Sequence, residues 1–516
     1  MILMKGRQAV TMFRNVFSNW VGLLVTGVIS VVLTPILIHR LGDFHYGMWI
    51  LAGSVLEYYG LLDMGMRTAM FRYVSQSKGA NDRSAMNEIF VSMLAFTFVV
   101  SLCILIVSVL LVGVLPGFFK LAGASRHTFQ LLVLLLGISV AVTFPSRMLG
   151  AYLNGLGRFD LYNLTAVVTG ALRAVLIVAM LRVGYGVIAV AIVALGASLF
   201  SFVFQWFLVR HADPDLRFGA ALAKWKRIRE LISYGFFIFI YTAGDYLRFY
   251  TDSAVIARVL NTALVTPFSV ATRLMEYSKL ILSGVGGPLM GKMSELHGQS
   301  KESELRRLFV AATKITALLS IFLASLLYLD GRLLLKLWIR EDMSATYKLV
   351  CVLTAGYVVA LAQHTTLVVI TACGRHRPMA MWTLAEGAAN LVLSIHWARI
   401  YGLLGVALGT AVPMLVVNLL IQPWYALRVV DLSPGEYIRK SLVRPVAVAL
   451  VFAGICLLAP KLGANADFVQ FGFRVAWQTA VFVLLAYLLG FDSGERRSLR
   501  DRSRLVAVAL RLVRVA

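Results

Sequence analysis

Apolar runs of roughly 20–26 residues, parted by short polar turns, recur along the whole chain; a run of that length crosses the hydrocarbon core of a bilayer as one α-helix. They fall at 15–38, 47–71, 89–114, 128–152, 161–181, 187–209, 232–257, 264–290, 308–329, 347–372, 379–398, 403–427, 441–459 and 471–490. The pattern predicts an all-α polytopic membrane protein with about fourteen transmembrane helices. Lysine and arginine favour alternate loops, about 30 on the side of the N-terminus against about 10 on the other, and this bias predicts that both termini are cytoplasmic.

Composition agrees with that class. Of 516 residues, 59% are hydrophobic and 14% charged, and the mean hydropathy is +0.81, which leaves too little polar surface for a soluble globule. A net charge of +24 suits a nucleic-acid partner only when the basic residues share one soluble face. Here they are spread among inter-helix loops, so no nucleic-acid partner is expected. Cys103, Cys351, Cys373 and Cys456 lie within or beside apolar runs without CxxC spacing, which indicates neither a zinc site nor a disulfide framework. His364 and His396 are isolated, and no GxxxxGK[ST] loop is present. No metal, no cofactor and no enzymatic activity are expected. The basic residues Lys5, Arg7 and Arg14 precede an apolar run too long for a signal-peptide core, so 15–38 reads as a retained first span.

The chain also repeats itself. A shift of about 219 places Leu41 on Leu260, Glu57 on Glu276, Tyr58 on Tyr277, Gly79 on Gly298 and Phe90 on Phe309. A slightly smaller shift places Gly157-Arg158 on Gly374-Arg375 and Gly170-Ala171 on Gly387-Ala388, and a smaller one still Tyr185-Gly186 on Tyr401-Gly402. Each repeat holds an even number of helices, so the copies insert the same way up, related by a pseudo-twofold axis along the membrane normal. The expected organisation is a six-helix bundle at 1–209, a basic cytoplasmic linker at 210–230, a second six-helix bundle at 231–430, and two further helices with a basic tail at 431–516. The linker segment ALAKWKRIREL and the tail ERRSLRDRSRLVAVALRLVRVA carry apolar residues at helical spacing. Each reads as a membrane-surface helix or, for the tail, a solvated charge run.

Charges inside the apolar runs supply the candidate chemistry, because an ionisable side chain at bilayer depth costs at least roughly 2.5–3.5 kcal/mol unless it meets a partner or water. Glu57, Asp63 and Arg67 share the 47–71 run, with Asp63 and Arg67 one turn apart. They are either staples between helices or the lining of a polar cavity. On 232–257, Tyr241, Asp245, Arg248 and Asp252 share one narrow face, the pattern of an ion-pair ladder or of a functional site. On 264–290, Arg273, Glu276 and Lys279 follow at intervals of three. Arg147 and Arg173 are further membrane arginines. Glu386 and Lys314 read as partners in inter-helix pairs.

The passage PILIHRLGDFHYGMW, the LLDMGM turn, the GANDRSAMN loop and NGLGRFDLYN, taken in order, resemble the polysaccharide transporter family. Its members include the Wzx O-antigen flippases, within the superfamily that also holds MurJ and the MATE drug antiporters. The resemblance covers about residues 10–430 and implies two six-helix bundles around a cationic cavity in a bacterial inner membrane. It implies as cargo an undecaprenyl-diphosphate-linked glycan moved from the cytoplasmic to the outer leaflet, with a polysaccharide polymerase and glycosyltransferases as partners. On this reading Arg67, Arg147, Arg173, Arg248 and Arg273 bind the diphosphate, since a guanidinium grips phosphate oxygens in pairs and keeps its proton. Tyr58 and Tyr241 stack on sugars or act as interfacial anchors. Glu57, Asp63, Asp245, Asp252 and Glu276 are candidates for binding a coupling H+ or Na+, or for charge pairing. A MATE-type exporter of organic cations and an integral-membrane glycan polymerase or ligase are the competing classes. The first favours an acidic or apolar cavity. The second favours a large external loop, and the longest external loop expected, Asp330–Thr346, is short.

Overall fold

The computed structural model describes residues 2–497 apart from 218, 220, 221, 340–342, 376 and 461–465; side chains are described outside 2–21, 226, 230–238 and 283–288. The end of the basic tail, 498–516, lies outside the described residues, as do the side chains of Lys5, Arg7 and Arg14. In chain order the helices are α1 (Ile2–Glu57), α2 (Met66–Gly79), α3 (Arg83–Phe118), α4 (Gly123–Gly155), α5 (Phe159–Arg182), α6 (Val187–Ala212), α7 (Trp225–Phe249), α8 (Thr251–Val255) and α9 (Val265–Gly298). They continue as α10 (Glu302–Ile339), α11 (Ser344–Ala362), α12 (His364–Ala372), α13 (Arg377–Tyr401), α14 (Leu403–Val416), α15 (Gln422–Val429), α16 (Pro434–Tyr437), α17 (Val443–Leu458) and α18 (Phe468–Leu485).

Among the described residues, ten helical stretches are long and apolar enough to cross a membrane. One of them, Gly22–Gly79, joins two of the expected spans, while α7, α9 and α13 stand outside the set. Two expectations need correction. The 47–71 run is not one helix: it breaks between Tyr58 and Gly65. The loop expected at Asp330–Thr346 is largely helical, because α10 runs on to Ile339 and α11 starts at Ser344.

The chain divides into two compact units. The first comprises Met1–Val270 with Arg377–Thr410. Within it α3 packs on α4, α4 on α6 and α1 on α5. Met66, Met70, Phe90, Met93 and Tyr152 are buried together, with the Phe90 and Tyr152 rings edge-on at 4.8 Å. Asp82 starts α3 by accepting the Ala85 N–H at 2.9 Å, which satisfies an end group that has no partner inside the helix. Outer positions of α3 such as Leu102, Val109 and Leu110 remain exposed, as lipid-facing positions of a membrane helix are. α7 lies so close on α13 that a Cβ on Gly244 would stand 2.6 Å from the Leu384 nitrogen, and one on Gly387 2.6 Å from the Gly244 carbonyl oxygen. Small residues are what allow membrane helices to approach in this way.

The second unit comprises Ala271–His376 with Ala411–Ala516. α10 packs on α11 and α17, and Phe322, Phe452 and Phe482 join α10, α17 and α18, with Phe322 and Phe482 4.9 Å apart. A polar tie reinforces that contact: Arg474 on α18 pairs with Asp330 at 2.6 Å, and the Gln478 amide donates to the other Asp330 oxygen at 2.6 Å. Lys314, buried on α10, pairs with Glu495 at 2.7 Å.

Several helices end in the same backbone turn. The turn after α2 has Ala80, Asn81 and Asp82 N–H donating to Gln76, Lys78 and Ser77. The turn after α9 has Gln299, Ser300 and Lys301 donating to Glu295, His297 and Leu296. The left-handed residues Asn81 (φ 59°) and Ser300 (φ 56°) correspond. Leu156, Gly157 and Arg158 likewise repeat the bonds of Cys373, Gly374 and Arg375. The same bonds close helices at 119–121, 183–185 and 430–432, so this is the general helix-ending turn with a left-handed residue rather than a mark of the repeat.

Candidate functional site

The break in the second span builds the first part of the site. YYGLLD forms a 3₁₀ turn (Tyr58–Asp63), Met64 follows at φ 45°, and Gly65 takes φ 71°, a left-handed conformation that glycine adopts without steric cost. Irregular backbone at membrane depth is tolerated where it lines a protected or watery cavity. Here it does: a cavity of about 230 Å³ is lined by Gly60, Asp63, Arg67, Arg147, Thr242 and Tyr246, among others. Asp63 therefore ends the broken half and Arg67 sits in the first turn of α2, so the two residues no longer share one continuous helix face as expected but meet across the break. Asp63 feels the charges of Arg147 and Arg67 and accepts the Arg67 backbone N–H. The Arg147 guanidinium also lies over the Phe144 ring at 5.2 Å. Two guanidiniums against one carboxylate, beside the positive end of α2, make the cavity attractive to an anion.

Tyr58 and Tyr246 join this cavity to α7. The Tyr58 hydroxyl bonds to the Tyr246 carbonyl oxygen at 3.3 Å and to the Thr251 hydroxyl. Tyr246 in turn reaches back over Gly60, where a Cβ would stand 2.1 Å from its hydroxyl oxygen. Tyr241 is half-buried on α7 near Asp245, Arg248 and Glu386. Arg248 forms an ion pair with Glu386 on α13 at 3.1 Å, with the Arg248 side chain 14% and the Glu386 side chain 2% exposed. Arg248 also covers the Phe249 ring at 4.7 Å.

Asp252, the last of the four residues on that face, is buried at the start of α8. The Thr410 hydroxyl donates to its Oδ2 at 2.7 Å and the Ser394 hydroxyl lies 3.4 Å from its Oδ1. Ser394 is also 3.3 Å from Asn390 Oδ1 and 3.4 Å from the Val406 carbonyl oxygen, and Thr410 is 3.2 Å from that same carbonyl. One carboxylate, two hydroxyls, an amide oxygen and a backbone carbonyl thus converge from α8, α13 and the part of α14 up to Thr410, and all five residues belong to the first unit. Such an oxygen set suits a small hard cation, and its single negative charge balances one positive charge. Asn390, Ser394 and Thr410 were not among the sequence candidates. Their signal was the GVALG stretch, since Gly405 and Gly409 bring α14 onto the backbone of Trp397 and Ser394.

The remaining candidates lie elsewhere. Arg173 on α5 stands over Trp49 at 6.0 Å and does not line the cavity. Glu57 closes α1 at an exposed position. In the second unit, Arg273 and Glu276 pair along α9 at 2.8 Å, with side chains 36% and 53% exposed. Among the described residues no three His, Cys, Asp or Glu side chains gather as a metal site.

Solved structures with this fold include the lipid II flippase MurJ in an inward closed conformation, which superposes with a TM-score of 0.70 at 15% identity, covering 93% of this chain and 98% of MurJ. Among curated proteins, the uncharacterized membrane protein EpsK of Bacillus subtilis is 20% identical over 511 residues, 96% of this chain and 99% of EpsK. The Shigella flexneri protein named "Putative O-antigen transporter" is 20% identical over 425 residues, 80% of this chain and 98% of its own length. A family model described as polysaccharide biosynthesis protein matches residues 41–341, more than half of this multi-pass helical chain, and the chain belongs to that family.

Proposed function

We propose that this membrane protein is a flippase that carries an undecaprenyl-diphosphate-linked oligosaccharide from the cytoplasmic to the outer leaflet of a bacterial inner membrane. The observation that carries the reading is the pair Arg67 and Arg147 on one cavity beside a helix N-terminus. A diphosphate cannot cross hydrocarbon bare, whereas its isoprenoid tail can stay in lipid. Guanidiniums in a protected cavity replace the water around the phosphates. An exporter of organic cations would gain nothing from them. In this proposal the termini face the cytoplasm, glycosyltransferases supply the cargo and a polymerase consumes it.

Coupling belongs to Asp252. A monovalent cation, Na+ or H+, bound among Asp252, Asn390, Ser394, the Val406 carbonyl and Thr410 neutralises the buried carboxylate and favours one conformation of the transporter over the other. Alternating access then moves the head group while the tail follows in lipid. The test is surface polysaccharide in cells that depend on this protein: Arg67→Ala and Arg147→Ala should each abolish it with the protein still present in the membrane. Undiminished glycan in both variants refutes the cationic path.

A further inference from the structure

We infer that Tyr58 is the positioning residue that links the cation cluster at Asp252 to the anion cavity, by riveting the α7–α8 joint to the broken helix. The inference rests on the coupling reading above. The joint is short: α7 ends at Phe249, Tyr250 intervenes, and α8 starts at Thr251, the neighbour of Asp252. The Tyr246 carbonyl accepts the Tyr250 N–H at 2.9 Å, and the Tyr58 hydroxyl reaches the same carbonyl at 3.3 Å. That hydroxyl also bonds Thr251. Tyr58 therefore spans the joint from a carbonyl in the last turn of α7 to the residue before the cation carboxylate.

The reverse contact completes a clamp. The Tyr246 ring packs edge-on against Tyr58 at 6.1 Å and against Tyr250 at 5.1 Å. Its hydroxyl lies against Gly60, and its side chain is part of the cavity wall with Arg67 and Arg147. Two residues after Tyr58, the chain has no side chain to keep Tyr246 away. Beyond α8, residues Ile256–Leu260 wind as a wider π-helix, a local irregularity common at functional sites. Rearrangement of the oxygens around Asp252 is thus passed through Thr251 and Tyr58 to the segment that carries Asp63, and through Tyr246 to the cavity wall. The same contacts work in reverse, because linkage between two binding sites is reciprocal. Sodium should tighten anion binding, and the anion should tighten sodium binding by the same factor.

The experiment uses the purified full-length protein, farnesyl diphosphate as the anion probe and sodium against choline as the cation probe. Farnesyl diphosphate affinity is measured with and without sodium in the parent and in Asp252→Asn, Tyr58→Phe, Thr251→Val and Thr251→Ser. The parent should show a sodium enhancement of at least about fivefold, the low end of typical couplings. Asp252→Asn should abolish it. Tyr58→Phe and Thr251→Val should bring it below about twofold, while Thr251→Ser, which keeps the hydroxyl, should retain it. Sodium binding measured alone should survive in Tyr58→Phe. If the enhancement persists in Tyr58→Phe and Thr251→Val but vanishes in Asp252→Asn, the relay is wrong and the coupling reading stands. If the parent shows no enhancement, both fall. Loss of sodium binding itself in Tyr58→Phe would make Tyr58 part of the cation site and overturn its role as a link.

Discussion

Thr410 donates its hydroxyl to Asp252 Oδ2 at 2.7 Å across a separation of 158 residues. The contact brings α14 to α8 at a carboxylate that is buried among hydroxyl, amide and carbonyl oxygens. Asn in place of Asp252 keeps the shape and an acceptor for Thr410 but removes the charge. Asp252→Asn should therefore insert and fold like the parent, yet lose its response to an imposed ion gradient. Transport into proteoliposomes with and without that gradient is the check, and equal stimulation of parent and variant would remove Asp252 from coupling.

Arg67→Lys and Arg147→Lys preserve charge but not the planar fork that binds two phosphate oxygens. Hydrogen bonds to charged groups contribute about 1.5–3 kcal/mol. Each variant should bind farnesyl diphosphate about tenfold or more weakly, as measured by isothermal titration calorimetry. Lysine variants that bind as tightly as the parent would show that net charge alone serves.

Gly387→Ala tests packing apart from chemistry. Its new Cβ would meet the Gly244 carbonyl at 2.6 Å and Leu247 Cβ at 2.8 Å, neither a flexible side-chain end. Overpacking of this kind costs about 1–3 kcal/mol. The variant should unfold at a lower temperature in detergent, and the Arg248–Glu386 pair on the same two helices should weaken with it.

Asp492 and Glu495 form a reciprocal cap, each backbone N–H donating to the other's carboxylate, at 2.8 and 2.9 Å. The Glu495 N–H, helped by the charges of Lys314 and Arg444, holds the Asp492 carboxyl below its ordinary value of 3.8. A depressed value means that the stabilisation is present above that ordinary value and is lost as pH falls through the folded one. Asp492→Asn should lower thermal stability at neutral pH by about 0.5–1 kcal/mol, toward the low end for caps because the site is solvent-screened. The difference from the parent should shrink in scans below pH of about 3.8. Glu495→Gln should cost more, since it strips the buried Lys314 of its counter-charge.

The residues that sequence reading located and those it missed differ in range. Apolar run length fixes which segments are helical because that signal is local, and the helix-ending turns at Asn81 and Ser300 are local as well. The break at 58–65 escaped because Gly60 and Gly65 sit inside an apolar run, and a hydropathy window averages over them. Arg67 and Arg147 were each visible as a membrane arginine, but nothing in the spacing placed them on one cavity. Asp252 was visible too. Its partners on α13 and α14 lie far along the chain, and only the glycine contacts at Gly405 and Gly409 hinted at that approach. Arg248 read as one rung between two aspartates, whereas its ion pair is with Glu386 on another helix.

The most direct measurement is translocation itself: the protein reconstituted in liposomes with a fluorescent undecaprenyl-diphosphate-linked sugar, scored by the accessibility of that sugar to an external quencher. The account predicts exchange between leaflets in the parent and none in the double variant Arg67→Ala with Arg147→Ala. Equal exchange in both, or none in a folded parent supplied with an ion gradient, would contradict it.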